Sequence, residues 1–495
     1  MKSIKLILSL LALTLTVSLQ AQTEEAKVIE TTSKGTIEGH IYFLADDLLK
    51  GRETGTPENK IAASYLANTL RRYGVKPNPK TGTYYQEVKL KRESPPYEVT
   101  IEINGQKIKD YAFVSPSPVN TDSDAVYLNY GLEDDYKGKD LKGKVIIIKA
   151  GSSEAKDTRA AFGLRGKKQE LAQANGVAAI IELLNADDNM WGFIDHNFNS
   201  SKLMVAENEE DKSDNNQTAH VWVLDKDNKM AEALSVTKRI SSKVAISENK
   251  EEIVMSQNVI GMVEGTDPKL KEEFIIYSAH YDHVGIGTPD ETGDTIYNGA
   301  RDNAIGTTTV LSMAENLAKY PTKRSALFIL FTGEEKGLLG SKFYVENPVL
   351  PLNQMVYCFN SDNAGYNDTS LATIIGLSRT TAAQHIKDAA TTFGITAIDD
   401  PAPEQGLFDR SDNVHFARKG IPAPTFSLGF TAFNGDVTKY YHRPGDEADT
   451  LDYDYLLKFF RAYVLSGRHI GNDPKTPVWT PGDKYEEAAK ALYGN

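Results

Sequence analysis

One cysteine, Cys358, is all the chain contains, so no intramolecular disulfide can form. It lies in the apolar run Met355–Phe359, where it reads as a buried, inert thiol. A basic surface is lacking too. Lys and Arg number 55 against 68 Asp and Glu, for a net charge of −13. Phosphate recognition needs clustered Lys and Arg, and no basic stripe is present, which argues against nucleic acid as a partner. No repeat of solenoid length is visible. Long apolar runs are scarce: the marked one is Leu6–Leu19, within MKSIKLILSLLALTLTVSLQAQ. Lys2 and Lys5 precede it, and small or polar residues ending in Ala21 follow. The run is short for a membrane span and no stop pattern flanks it, so residues 1–21 read as a cleaved secretory signal. The expectation is a chain exported to the periplasm or medium, with no membrane span after cleavage. Without disulfides, such a chain relies on its core, with bound metal as the other available brace.

What is present is an ordinary globular composition, 40% hydrophobic over 495 residues, enough for two or three domains. After the signal, Thr23–Thr32 is polar and reads as frayed. Thr56 then looks like a helix N-cap with Pro57 in the first turn. Ile61, Tyr65, Leu66 and Leu70 repeat at helical spacing up to a stop at Gly74. A strand from Tyr97 closes on the tight turn Asn104-Gly105. From about Ala112 the texture changes to a compact alternation: a strand Lys144–Lys149, a helix Lys167–Ala174, and a strand Val177–Leu184. Glu207–Gln217 is a charged, Asn-rich loop, and His196 and His220 stand apart from any other ligand-type residues. Near the end, Leu456, Leu457, Phe460 and Val464 share one helix face, and a Pro-rich tail with a short helix follows Asp473.

The chemistry gathers between Phe274 and Glu335. Two short apolar runs, Phe274–Ala279 and Leu327–Phe331, read as buried strands. The first ends at His280 and Asp282, the second at Glu334 and Glu335; between them Asp302 opens a helical pattern. In α/β sheets, ligand sites form at the carboxyl ends of strands. Five candidate metal ligands follow in order: His280, Asp302, Glu335, Asp362 and His442, with gaps of 22, 33, 27 and 80 residues. No single helix could gather them, so the fold must. Their N/O mix suits Zn²⁺ or a similar first-row ion, and one Asp can bridge two ions. Adjacent side chains leave the backbone in different directions, so Glu335 can ligate while Glu334 faces a water as general base. On its own that acidic pair could equally be a helix N-terminus favoured by the dipole.

Six stretches — SAHYDHVG, NGARDNAIGTT, FTGEEKGLLGS, NSDNAG, SDNVHFARKGIPA and YYHRPGDEADTLD — together resemble the di-zinc aminopeptidase and glutamate carboxypeptidase family. The form resembled carries an inserted protease-associated domain: LKGRETGTPENKIAASYLANTLRRYG is similar to that family's N-terminal segment, and KGKVIIIKAG with AQANGVAAIIELL to its insert. The resemblance implies an α/β fold, a three-layer sandwich around a mixed β-sheet. It divides the chain into a catalytic domain at 22–111 and 241–473, an inserted domain at 112–240, and a C-terminal tail at 474–495. It also implies two Zn²⁺ per chain bridged by Asp302, one completed by His280 and Asp362, the other by Glu335 and His442. Glu334 would be the base, Asp282 would orient His280 from behind, and Asp302–Asn303 would be a cis peptide. Tyr441, or its neighbour Tyr440, would donate to the oxyanion. His283 reads as a neighbour of the site rather than a ligand.

The chain departs from the family pattern at Arg301, where an acid is frequent, at Ile305, where Ser is frequent, and at Asn413, where His is common. Ser411 or Asp412 can serve as a helix cap. The resemblance makes an exported aminopeptidase acting on peptides the leading expectation. A carboxypeptidase or dipeptidase is the alternative; it needs a cationic clamp, for which Arg301, Arg379 or Arg410 could serve. A receptor-like binding protein would not need Glu334 and an intact ligand set. A glutaminyl cyclase-like transferase would have one zinc and no insert.

Overall fold

The structure is a computed structural model that describes residues 22–206 and 217–494. The expected signal, and the charged loop at 207–217 except Gln217, lie outside the described residues. By internal contacts the described residues fall into two units, 22–88 with 255–494, and those between 89 and 254.

The first unit is built on a mixed sheet. Its strands are β1 (Tyr85–Ser94), β2 (Lys250–Val263), β3 (Phe274–His280), β4 (Ser325–Phe331), β5 (Met355–Ser361), β6 (Leu371–Ile375), β7 (Thr396–Asp399) and β8 (Thr425–Leu428). They lie in the order β7-β6-β8-β5-β3-β4-β2-β1. The centre, β8-β5-β3-β4, is parallel, and β2 and β6 run antiparallel to their neighbours β4 and β8. β3 and β4 are buried along their whole length, which is why they read as unbroken apolar runs rather than alternations.

Side chains alternate between the two faces of the sheet, and each face has its own core. Ile275, Tyr277, Phe328 and Phe359 pack with helices α1 (Glu24–Thr31), α2 (Lys34–Leu44), α3 (Pro57–Tyr73), α4 (Gly306–Lys319), α6 (Ala383–Thr392) and α7 (Tyr453–Asn472). Ile276, Ile329, Phe331 and Cys358 face the other way, toward α5 (Leu339–Glu346), the short helix Asn413–Arg418 and Trp479. This is the three-layer α/β sandwich expected. Cys358 is fully buried, and burial pushes its thiol up to about 12.

Several local expectations meet the structure differently. Thr23–Thr32 is not frayed: Thr23 caps α1, Val28 and Thr31 are buried, and Glu24 pairs with the buried Arg468. In α3 the cap at Thr56, Pro57 in the first turn and the left-handed Gly74 stand as read. Ile61, however, is 51% exposed, because the buried stripe runs through Asn59, Ala62, Ala63, Leu66, Ala67 and Leu70. The tail from Asp473 is docked: Trp479 Nε1 donates to the Gly420 carbonyl at 2.9 Å and Tyr493 to that of Met355 at 2.6 Å.

The second unit has an eight-stranded mixed sheet containing Val145–Lys149, Ala179–Leu184 and Ala219–Leu224 as parallel neighbours. Strand Val99–Ile103, assigned by sequence to the catalytic part, pairs with Ile240–Ile246 and belongs to this unit. The unit therefore reaches beyond the expected limits of 112 and 240. Its helix Thr158–Ala174 begins nine residues before the expected Lys167, at the cap Asp157, because Gly163 and Gly166 interrupt the pattern. Among the described residues, no helix of either unit is long and apolar enough to cross a membrane.

Candidate metal centre

The parallel strands β3, β4 and β5 end side by side, and each hands a ligand-type residue to the same spot. His280 is the last residue of β3, Glu334 and Glu335 follow β4, and Asp362 follows β5. Asp302 arrives from the turn that feeds α4, and His442 from the loop ahead of α7, at a positive φ of 50°. All five expected ligands thus converge.

Their atoms form two clusters that share one carboxylate. His280 Nε2 lies 3.2 Å from Asp302 Oδ1 and 3.3 Å from Asp362 Oδ1. His442 Nε2 lies 3.2 Å from Asp302 Oδ2 and 3.0 Å from Glu335 Oε2. The two oxygens of Asp302 are thus divided between the two imidazoles. In each cluster the potential ligand atoms fall within 4.8 Å of one another, and a further group joins Glu334 to His280 and Glu335.

The donor set fits divalent cations. Among the described residues, the ion pairs of Asp302, Glu335 and Asp362 are all with histidines, so no Lys or Arg is paired directly with these carboxylates. His442 Nε2, buried beside two carboxylates, has no hydrogen-bond partner. A metal ion satisfies both conditions, and the N/O set is one that zinc accepts. Burial and the neighbouring Asp302 charge push Glu335 up, but its hydrogen bond with His283 holds it down at about 2. Among the described residues, Glu334 has no such partner. Burial drives its carboxyl well above the usual range, against the opposing charge of His280 and with that of Asp362. Neighbouring acids with opposite shifts are what a ligand and a proton carrier require.

His283, expected as a neighbour rather than a ligand, falls within the same group as Asp302, Glu335 and His442, with Nδ1 2.7 Å from Glu335 Oε1. Asp282 contributes differently from the expectation. The His280 Nδ1 contact is to the Asp282 backbone carbonyl at 3.2 Å, its carboxylate being 3.8 Å away. The carboxylate instead accepts from Thr54 Oγ1 at 2.8 Å and from the amides of Glu334 and Glu335, so it holds the acidic turn. The two tyrosines separate clearly. Tyr440 lies under the Arg301 guanidinium, 4.0 Å from ring centre to cation. Tyr441 stacks on His442 and lines the cavity that contains Asp302, Glu334 and Asp362. The bond Asp302–Asn303 is cis.

Two residues that sequence reasoning left without a role support this loop. Arg52 is fully buried and donates to the carbonyls of Leu44, Tyr281, Asn298, Gly299 and Asp302, tying both ligand-bearing segments to one guanidinium. Asp446 accepts from the amides of Arg301 and Asp302 and from the Arg301 side chain. The available signal was composition: Arg52 set between glycines in GRETG, and Asp446 after a glycine and close to His442 in HRPGD. Gly299 and Gly306 frame the same loop. A Cβ at the first would strike the Asp302 carbonyl and the His283 ring, and at the second the Asn303 side chain and Ser361 carbonyl. Asn413, at a departure from the family pattern, staples a loop by donating to the carbonyls of Phe408 and Ala423. Asp412 precedes the helix Asn413–Arg418, but its side chain makes no capping bond. His196 is exposed and His220 is bonded to Glu182 in the second unit.

Residues 258–465, which hold every one of the converging ligands, match the sequence profile of Peptidase family M28. The chain is 26% identical to Aminopeptidase YwaD of Bacillus subtilis over 433 residues, covering 84% of this chain and 81% of that one. Its fold is similar to that of an aminopeptidase from Aneurinibacillus sp. strain AM-1, with a TM-score of 0.58 and 22% identity over 93% and 98% of the two chains. It is similar also to a zinc aminopeptidase from Bacillus subtilis, with a TM-score of 0.50 and 20% identity over 90% and 97%. The segment that carries the clusters matches peptidase family M28, and the aminopeptidases to which the chain is similar support reading it as a metallopeptidase.

Proposed function

We propose that the chain is an exported di-zinc aminopeptidase that hydrolyses the first peptide bond of peptides with a free N-terminus. The observation that carries this reading is the division of the Asp302 carboxylate between the His280 and His442 clusters. Asp302 would bridge two ions, His280 and Asp362 completing one site and Glu335 and His442 the other. Zinc held there would polarise the scissile carbonyl and acidify a water. Glu334 takes the water's proton and passes it to the leaving amine, a role suited to a carboxyl held above the usual range. Tyr441, on the cavity wall, donates its hydroxyl hydrogen to the oxygen on which charge develops. Asp282 fixes the turn from which Glu334 acts. The apolar run at Leu6–Leu19 supports export, and KGKVIIIKAG supports reading the second unit as a protease-associated insert.

The aminopeptidase relatives favour N-terminal over C-terminal cleavage. So do two of the three candidate clamps. Arg301 is paired with Asp446 and Thr450, and Arg379 is held in two bonds by Asp483. Neither is free to hold a terminal carboxylate.

The test is hydrolysis of aminoacyl chromogenic substrates beside N-acetylated and C-terminally free dipeptides, with zinc, with chelator, and as Glu334→Ala. The expected result is chelator-sensitive cleavage that needs a free amine and falls by about 10²–10⁴-fold in Glu334→Ala, with zinc content unchanged. Cleavage of N-blocked peptides with a free carboxylate would replace the reading with a carboxypeptidase.

A further inference from the structure

Beside Glu334 lies a cavity of about 90 Å³. That is far below the roughly 300–1,000 Å³ of pockets that enclose a whole small-molecule ligand, and suits one side chain. One wall is apolar, formed by Ile375, Leu407, Phe430 and Phe433. Besides the carboxylates of Asp302, Glu334 and Asp362, the polar lining is Asn363, Arg410, Ser411, Thr425, Ser427 and Tyr441. Asn360 Nδ2 spends both hydrogens on hydroxyls, donating to Ser411 Oγ at 2.9 Å and to Thr425 Oγ1 at 3.2 Å. Its own oxygen accepts from Ser278 at 2.8 Å, which fixes the orientation of the amide. Ser411 and Thr425 are thereby made acceptors toward Asn360, and both line the cavity. Among the described residues, neither hydroxyl hydrogen has an acceptor of its own. Both residues are nearly buried, at 6% and 4% exposure, so a hydrogen without an acceptor there is costly and awaits one.

Arg410 adds a third donor. It is exposed and lines the same cavity, with its cation 6.0 Å from the Phe433 ring. Unlike Arg301 and Arg379, it has no carboxylate partner among the described residues.

We propose that this cavity receives an acidic side chain of the substrate's N-terminal residue, the stem lying on the apolar wall and the carboxylate accepting from Arg410, Ser411 and Thr425. The proposal rests on the aminopeptidase reading above. A carboxylate offers only acceptors and can be met by all three groups, whereas an ammonium would be repelled by the Arg410 charge. An aliphatic side chain fits the wall but leaves the donors unmet, and a site built to hydrogen-bond its substrate discriminates against such an analogue.

The experiment compares kcat/KM for glutamyl, aspartyl, glutaminyl, leucyl and lysyl chromogenic substrates in the zinc-loaded full chain, in Arg410→Met and in Arg410→Lys. Calorimetric binding of free glutamate and leucine is measured alongside. The expected result is a preference for acidic residues, a glutamyl-to-leucyl ratio that falls about tenfold or more in Arg410→Met, and partial recovery in Arg410→Lys. A preference for leucyl substrates, or a ratio unmoved in Arg410→Met, would overturn the proposal. A preference for glutaminyl over glutamyl would also overturn it, assigning the donors to an amide. Arg410-dependent cleavage of N-blocked peptides would overturn it by giving Arg410 to the substrate's terminal carboxylate. If no N-terminally free substrate is cleaved yet glutamate binds and needs Arg410, the aminopeptidase reading fails and the acidic pocket stands; if glutamate does not bind, the pocket fails as well.

Discussion

At the scale of single residues, the site is a problem of concentrated charge. Asp302, Glu335 and Asp362 are brought together with Glu334 close by, and the structure arranges histidines, amides and one buried guanidinium around them. Each support acts through backbone as much as through charge: Arg52 grips five carbonyls, and Asp282 two amides. The same economy of partners appears away from the site at His40, which is buried between the hydroxyls of Tyr65 at 2.7 Å and Tyr73 at 2.8 Å. Burial, aided by the Arg72 charge, lowers its imidazole from 6.5 to about 4. In the unfolded chain the same imidazole takes up a proton near 6.5. Between pH 6.5 and 4 the unfolded state therefore binds more protons than the folded one, and stability falls as pH drops through that window. The loss attributable to His40 should approach the order of 3 kcal/mol near pH 4. Urea unfolding at pH 7 and pH 4.5 checks this, with His40→Gln expected to show the shallower dependence; equal slopes in the two proteins would remove His40 as the cause.

At the scale of elements, strands were the most legible. β3 and β4 declared themselves as short apolar runs, and because parallel strands present their carboxyl ends together, the residues at and just after those ends could be named as candidate ligands from sequence. Helices were read well where large side chains marked the stripe, as in α7, where Leu456, Phe460 and Val464 are buried. They were misread where small residues did the packing. In α3 alanines carry the stripe and Ile61 faces out; in Thr158–Ala174 two glycines hid the first turns. Arg52 and Asp446 escaped notice because their partners lie as far as 250 and 145 residues away and are mostly backbone groups, which no motif records.

One element-level feature of the second unit invites a direct test. Lys168, on Thr158–Ala174, and Glu182, on Ala179–Leu184, form an ion pair of 2.5 Å with both side chains fully buried, and the other Glu182 oxygen accepts from His220 at 2.8 Å and Trp222 at 2.7 Å. Removing one partner of such a pair strands a buried charge, so Lys168→Met should destabilise by roughly 3–5 kcal/mol in denaturant unfolding. The double variant Lys168→Met/Glu182→Gln should recover part of that loss. An effect below about 1 kcal/mol for Lys168→Met, the level of an exposed pair, would contradict the packing described.

At the scale of the whole molecule, the chain joins two independently cored units, and all the converging ligands belong to one of them. The change of texture near Ala112 marks the second unit in the sequence. Its edges were placed too far in, because Val99–Ile103 and Ile240–Ile246 are ordinary strands whose pairing partner cannot be read from either alone. The tail shows the same limit: its docking depends on single contacts such as Trp479 with Gly420. The central claim is that five dispersed residues assemble two cation sites around one shared carboxylate. The measurement that tests it most directly is zinc content per chain after equilibrium dialysis, in the wild type and in Asp362→Ala and His442→Ala. The account predicts two ions in the wild type, one in each variant, and at most one in Asp302→Ala. A single ion in the wild type, or two ions retained in both Asp362→Ala and His442→Ala, would contradict it.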